Sequence, residues 1–222
     1  MEDEDILDQG LPRGVEQLIG LVGLAAVWPV LAAAGFAIAT TSRGPVLFRQ
    51  QRVGRYGKPF TLYKLRTMRV DNAGHGFTAK GDSRITYVGK ILRKTKLDEL
   101  PELWNVVMGD LSLVGPRPEV ERYVDMDDPS WREVLQARPG LTHPVTLALR
   151  NEEELLSGQP GDPARFYLDK LVPYKLRGYL SYQRGRTWRS DLKVLVDTAL
   201  VVVIPGLAQG PSAEDLGADS PG

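Results

Sequence analysis

The stretch that decides the fold is Gln17-LIGLVGLAAVWPVLAAAGFAIATT-Ser42, with Pro29 near its middle. It holds no charged residue over about 26 positions, and as a straight helix it would reach roughly 39 Å, enough to cross a hydrocarbon core of about 30 Å. Its length and its acidic leading flank exclude a secretory signal peptide. Pro29 removes a helical N–H and clashes with the carbonyl four residues back, so it kinks or breaks the helix. Two limbs of about 12 residues, roughly 18 Å each, are too short to cross and can enter and leave by one face. An ordinary spanning helix with a proline kink is the alternative. In either geometry Arg43, Arg49, Arg52, Arg55 and Lys58 follow closely, and the positive-inside rule places the soluble part in the cytoplasm.

Outward from this segment, charge is unevenly spread. The net charge is zero, yet residues 1–16 hold six acids (Glu2, Asp3, Glu4, Asp5, Asp8, Glu16) and one arginine. Residues 43–97 hold fourteen Lys or Arg against Asp71 and Asp82, a block that implies a polyanionic partner or an anionic membrane surface. Nucleic acid is not expected, because no groove-reading motif or aromatic-basic repeat accompanies the charge. Cysteine is absent, which excludes a disulfide framework or thiolate metal site, and two histidines without metal spacing argue against zinc. A hard, oxygen-loving cation remains open.

Val46–Arg52 and Phe60–Arg66 read as a β-hairpin around the Gly54–Pro59 loop, and residues 72–82 as a loop. Tyr87–Lys94, Pro101–Met108, Tyr123–Gln136, Arg165–Arg184 and Asp191–Val203 carry helical patterns. The fold class is therefore α+β, mostly helical, with a short hairpin and an N-terminal Pro-broken membrane helix. Its parts are an acidic segment (1–16), the membrane helix (17–42), a cytoplasmic domain (43–207) and a disordered tail (208–222). Tyr174, Tyr179, Tyr182, Trp188, Lys175, Arg177, Arg184, Arg186 and Arg189 fit either an interfacial helix pair or a core helix with a basic face.

The chemistry concentrates in Lys94-TKLDELPELW-Asn105 and Leu113-Val114-Gly115-Pro116-Arg117-Pro118. Two adjacent carboxylates beside dense cations suit phosphate chemistry: one attacks phosphorus and its neighbour holds a divalent metal. These motifs resemble the signature of the bacterial sugar transferases, the monotopic phosphoglycosyl transferases. Gly44–Gly54, Phe60–Met68, Arg138–Thr142 and Asp191–Lys193 are similar as well, so the resemblance runs from about Gln17 to Ile204. Two features differ from many relatives: Trp28, not serine, precedes Pro29, and the leading flank is acidic.

The resemblance implies a re-entrant helix at the bacterial inner membrane, with the catalytic domain on the cytoplasmic face. It implies transfer of a sugar-1-phosphate from a UDP-sugar to a polyprenyl phosphate through a covalent aspartyl intermediate, releasing UMP and starting a surface glycan. The partners are then those two substrates and the bilayer, with a homodimer left open. Asp98 would be the nucleophile and Glu99 the ligand of Mg²⁺. Arg93 and Arg117 would clamp phosphate, Pro116 and Pro118 would fix the backbone around Arg117, and Lys64 and Arg150 would add phosphate or nucleotide contacts.

Each has a plainer alternative. Asp98 in Thr95-x-x-Asp98 has capping-box spacing, Glu99 could be a surface acid, and the cations could meet anionic lipid. Trp104 reads as core packing and His143 as structural. Glu102, Asp110 and Glu119 have no assigned role. The rival class is a non-catalytic membrane-anchored module that binds anionic lipid or a partner enzyme.

Overall fold

The computed structural model describes residues 9–70, 82–158, 162–207, 210–211 and 215–216. The acids Glu2 to Asp8, nearly all of the expected 72–82 loop and most of the expected tail lie outside them.

The apolar segment forms a single helix, α1 (Arg13–Thr41), which includes Pro29. The expected break does not interrupt it. Proline removes one ladder bond, whereas packing on both sides of it holds the helix: Leu24 and Val27 before, Leu31 and Ala34 after, all against the domain. One stripe of α1 faces inward, from buried Glu16 and Gly20 through these residues to Ile38. The other face is bare, with Leu18, Val22, Trp28 and Phe36 exposed.

Both ends of α1 are tied to the domain. At the start, Leu113 N–H donates to Glu16 Oε1 at 3.0 Å and Gln17 Nε2 donates to the Val107 carbonyl at 2.9 Å. At the end, buried Arg66 donates to the carbonyls of Arg43 and Ser42 at 2.6 and 2.8 Å, placing a cation where the helix dipole is negative.

The expected hairpin is present as β1 (Leu47–Val53) and β2 (Pro59–Leu65), antiparallel in the register Leu47 to Leu65. α2 (Tyr87–Thr95) and α3 (Glu102–Met108) follow. A parallel pair, β3 (Ser112–Val114) and β4 (Gly140–Thr142), was not legible in sequence. Its backbones touch at Gly115 and Gly140: a Cβ on Gly140 would lie 2.1 Å from Gly115 N.

The expected Tyr123–Gln136 helix is only α4 (Pro129–Val134), opened by the Asp128 side chain, with a 3₁₀ turn at Glu121–Tyr123 upstream. α5 (Pro144–Ala148), α6 (Glu152–Ser157) and α7 (Pro163–Phe166) are short. A π-turn, Tyr167–Leu171, leads into α8 (Val172–Arg184), and Thr187 caps α9 (Trp188–Val203) through a capping box.

Of the side chains read as a membrane-interface set, Lys175, Tyr179 and Arg186 are buried instead, while Trp188 is exposed. The main cluster packs Trp131, Val134 and Leu135 of the α4 region on Leu171, Leu176 and Tyr179. A second joins Leu62, Leu103, Val106, Leu113 and Val194 and receives Leu24 and Val27 of α1, while a third, Ile38 with Leu65 and Leu92, receives Leu31 and Ala34.

Candidate active site

α2 ends at Lys96, a non-glycine residue in the left-handed conformation (φ 58°) whose N–H returns to the carbonyls of Leu92 and Arg93. That conformation costs roughly 1–2 kcal/mol. It turns the chain so that Leu97–Glu99 form one 3₁₀ turn before α3. The local irregularity expected near this pair of carboxylates is therefore the left-handed Lys96 and the 3₁₀ turn that follows it. Leu100, expected to break helical geometry ahead of Pro101, is right-handed helical (φ −57°, ψ −33°).

The cap reading of Asp98 fails. Thr95 is the last residue of α2, and its hydroxyl donates back to the carbonyls of Ile91 and Leu92. The side chain that does cap α2 is Thr86, which accepts from Gly89 N–H at 2.9 Å.

Asp98 is 8% exposed, and its Oδ1 is buried without a hydrogen-bond partner among the described residues. Burial, with Glu99 adding repulsion, pushes its carboxyl above the ordinary range. Glu99 behaves in the opposite way. Burial would raise it too, but Arg117 and Lys64 outweigh burial and hold it well below that range. Its Oε1 accepts from Lys64 Nζ at 2.9 Å and from Arg117 Nη2.

Lys64 also lies 3.1 Å from Glu102 Oε1, an ion contact without hydrogen-bond alignment. Burial pushes Glu102 up and Lys64 opposes it. Glu102, 1% exposed, belongs to the site although its role was not legible. Asn105, one turn further on α3, sets the spacing: its Nδ2 donates to Thr61 O at 2.7 Å and its Oδ1 accepts from Tyr63 N–H at 3.2 Å. These bonds pin β2, and so Lys64, beside the carboxylates.

Arg117 is held by its neighbours. Pro116 O accepts from Gly140 N–H at 2.8 Å, and Pro118 O accepts from Arg52 Nη1 at 3.0 Å. Behind Pro118 lies a buried network. Glu119 Oε1 accepts from Tyr167 Oη at 2.6 Å and from Lys175 Nζ at 3.1 Å, and Lys175 also pairs with Glu152 at 3.0 Å. Burial would raise Glu119, but Lys175 and Tyr167 hold it low.

Not every expected residue converges. Arg93 pairs with Glu153 of α6 and bonds neither Asp98 nor Glu99, although its charge acts on Asp98, and Arg150 donates to the Val201 carbonyl in α9. Trp104 is 44% exposed rather than core. His143 is fully buried: its Nδ1 accepts from Val145 N–H, and Tyr179 and Tyr182 pack edge-on around its ring. Burial lowers it to about 3, so it stays neutral, as a structural residue would.

Among the described residues no group of three or more His, Cys, Asp or Glu forms a metal cage. Glu99 Oε2 makes no bond there and Asp98 Oδ1 has no partner. Mg²⁺ suits such a set, because it takes one or two carboxylates and completes its shell with phosphate oxygens and water.

The site thus joins a buried aspartate, whose Oδ1 has no partner among the described residues, to a glutamate bound by Lys64 and Arg117. Residues 7–205 match the family model described as bacterial sugar transferase, and the chain belongs to that family. It is 49% identical over 177 residues to the UDP-glucose:undecaprenyl-phosphate glucose-1-phosphate transferase of Caulobacter vibrioides, covering 77% of this chain and 61% of that protein. It is 39% identical over 137 residues to the UDP-N-acetylgalactosamine-undecaprenyl-phosphate N-acetylgalactosaminephosphotransferase of Aeromonas hydrophila (60% and 32%). With the undecaprenyl-phosphate galactose phosphotransferase of Salmonella typhimurium the identity is 36% over 185 residues (74% and 34%). The chain thus spans from 32% to 61% of the length of these relatives.

Proposed function

We propose that the protein is a phosphoglycosyl transferase that moves a sugar-1-phosphate from a UDP-sugar to a polyprenyl phosphate such as undecaprenyl phosphate. The observation that carries this is the adjacency of a buried Asp98, whose Oδ1 has no partner among the described residues, and a Glu99 kept ionised by Arg117 and Lys64. The names of the three relatives support the substrate class, and their differing sugars leave the hexose open.

An Asp98 oxygen bonds to the sugar-bearing phosphorus. The bond from that phosphorus to the bridging oxygen breaks, and its electron pair leaves with UMP. A polyprenyl-phosphate oxygen then attacks the same phosphorus and returns Asp98 as carboxylate. Covalent catalysis divides one displacement into two easier ones. Arg117 and Lys64 hold phosphate oxygens by charge-assisted bonds. Arg93 joins them once its guanidinium leaves Glu153. Glu99 would hold Mg²⁺, which would supply charge neutralisation at the reacting phosphate.

The fold also supports the placement. The bare face of α1 is suited to lipid, and both its ends are bonded to one domain. A helix tied in this way keeps both ends on one side of a bilayer, which favours one-face insertion at the cytoplasmic side of the inner membrane. The site then sits level with the phosphate of a lipid whose tail stays in the membrane.

The test is UMP release from nanodisc-embedded protein given Mg²⁺, undecaprenyl phosphate and a panel of UDP-sugars. UMP from one sugar, lost in Asp98→Asn, is the expected result. Folded protein that yields none with any sugar contradicts the proposal.

A further inference from the structure

Lys64, Arg117 and Arg93 all rest on carboxylates, but not of one kind. Lys64 and Arg117 bond Glu99, and Lys64 also contacts Glu102; these glutamate side chains are 18% and 2% exposed. Arg93, in the last turn of α2, donates instead to Glu153 of α6, 60 positions away, whose side chain is 45% exposed. The charge of Arg93 also acts on Asp98, which puts the guanidinium beside the proposed nucleophile.

α6 does not depend on the bond to Arg93. Leu156 is buried in the main cluster, and Glu152 pairs with buried Lys175 at 3.0 Å. The Glu153 side chain can therefore leave Arg93 while its helix stays in place. Its departure costs little, because a half-exposed carboxylate returns to water and such ion pairs are weak. Glu99 differs: taking Lys64 and Arg117 away from it would strand a largely buried charge. A phosphate carries more charge than a carboxylate and fits the same guanidinium fork. Arg93 is thus the cation whose present partner a phosphate displaces most readily.

We propose that Glu153 is a specificity-setting residue, an internal competitor that occupies Arg93 in the empty site and yields it to a phosphate of a nucleoside diphosphate. Ligands without such a group leave the pair closed. The inference rests on the transferase reading, in which Arg93 meets the substrate's phosphates.

The experiment is a double-mutant cycle on UDP binding, measured by calorimetry on the full chain in nanodiscs with Mg²⁺. Glu153→Gln should tighten UDP binding by about two- to fivefold, the range that a half-exposed ion pair allows. Arg93→Gln should weaken it by about tenfold or more. In the Arg93→Gln background, Glu153→Gln should then change nothing. In turnover, Glu153→Gln should lower KM for the UDP-sugar without raising kcat, a split that a merely structural contact would not produce.

Unchanged or weaker UDP binding in Glu153→Gln overturns the proposal. So does an equal gain in the Arg93→Gln background, which would be a general effect of removing one negative charge. If Arg93→Gln does not fold, the KM of Glu153→Gln decides, and an unchanged or higher value overturns the proposal. Folded wild type that binds no UDP defeats the transferase reading itself, whereas UDP binding indifferent to Glu153 defeats this inference alone.

Discussion

Two groups of acids and cations lie on either side of Arg117, and they are built in opposite ways. Behind it, the oxygens of Glu119 are met by Tyr167, Lys175 and, at 3.9 Å, Arg52. In front of it, Asp98 Oδ1 is buried with no partner among the described residues. A satisfied buried network rigidifies a fold, whereas an unsatisfied group is a cost the fold carries for another reason. The first cluster is scaffolding for the loop that bears Arg117, and the second is where the proposed function puts the chemistry. The contrast extends to charge, because Glu119 is held low by its partners and Asp98 is pushed high by burial.

The largest expected effect follows from the chemical side. Asp98→Asn should abolish turnover while thermal unfolding stays at or above the wild-type temperature, because it removes a desolvated charge. A loss of folding in that variant would make Asp98 part of the scaffold and erase the contrast.

The next is its mirror image. Lys175→Met leaves Glu119 and Glu152 without their buried cation and should cost about 3–5 kcal/mol of stability by denaturant unfolding. The activity that survives should track the folded fraction, with an unchanged KM. An altered KM at full folding would move this cluster into the binding site.

Smaller, and specific to the metal, is Glu99→Gln. Turnover should fall and need more Mg²⁺ to recover, and EDTA should silence the wild type. Unaltered turnover in EDTA would remove the metal.

The smallest is in pH. Asp98 must be ionised to attack, and its folded pKa is raised, so the acid limb of kcat/KM should have its midpoint above 3.8. Glu119 is depressed, so the stability it contributes is present above about 4.5 and is lost as pH falls through its lowered folded value. His143, lowered to about 3 from 6.5, likewise loses stability as pH falls between those values. Activity lost at the raised Asp98 value should therefore return on neutralisation, with His143→Gln flattening only the stability curve. An acid limb that moves with His143→Gln would reassign it to unfolding.

The same contrast explains what the sequence revealed. Asp98, Glu99 and Arg117 lie within one short stretch, so their juxtaposition was legible. Glu119 and Lys175 are 56 positions apart, and Glu16 and Leu113 are 97 apart. Such pairings leave no local pattern, so Lys175 and Arg186 read as surface cations. Thr95 misled because capping-box spacing looks alike at a helix end and a helix start. The hairpin was marked by its turn residues, whereas a parallel pair of three-residue strands has no periodicity to find. Pro29 indicated a break that packing on both sides of it overrides.

The most direct measurement is intact-protein mass spectrometry after incubation with Mg²⁺ and the accepted UDP-sugar, with the polyprenyl phosphate withheld. The account expects one sugar-phosphate adduct per chain, mapped to Asp98, with one equivalent of UMP released, and the adduct discharged when the lipid is added. UMP that forms only when the lipid is present, with no adduct at any time, would mean direct displacement and would contradict a nucleophilic Asp98.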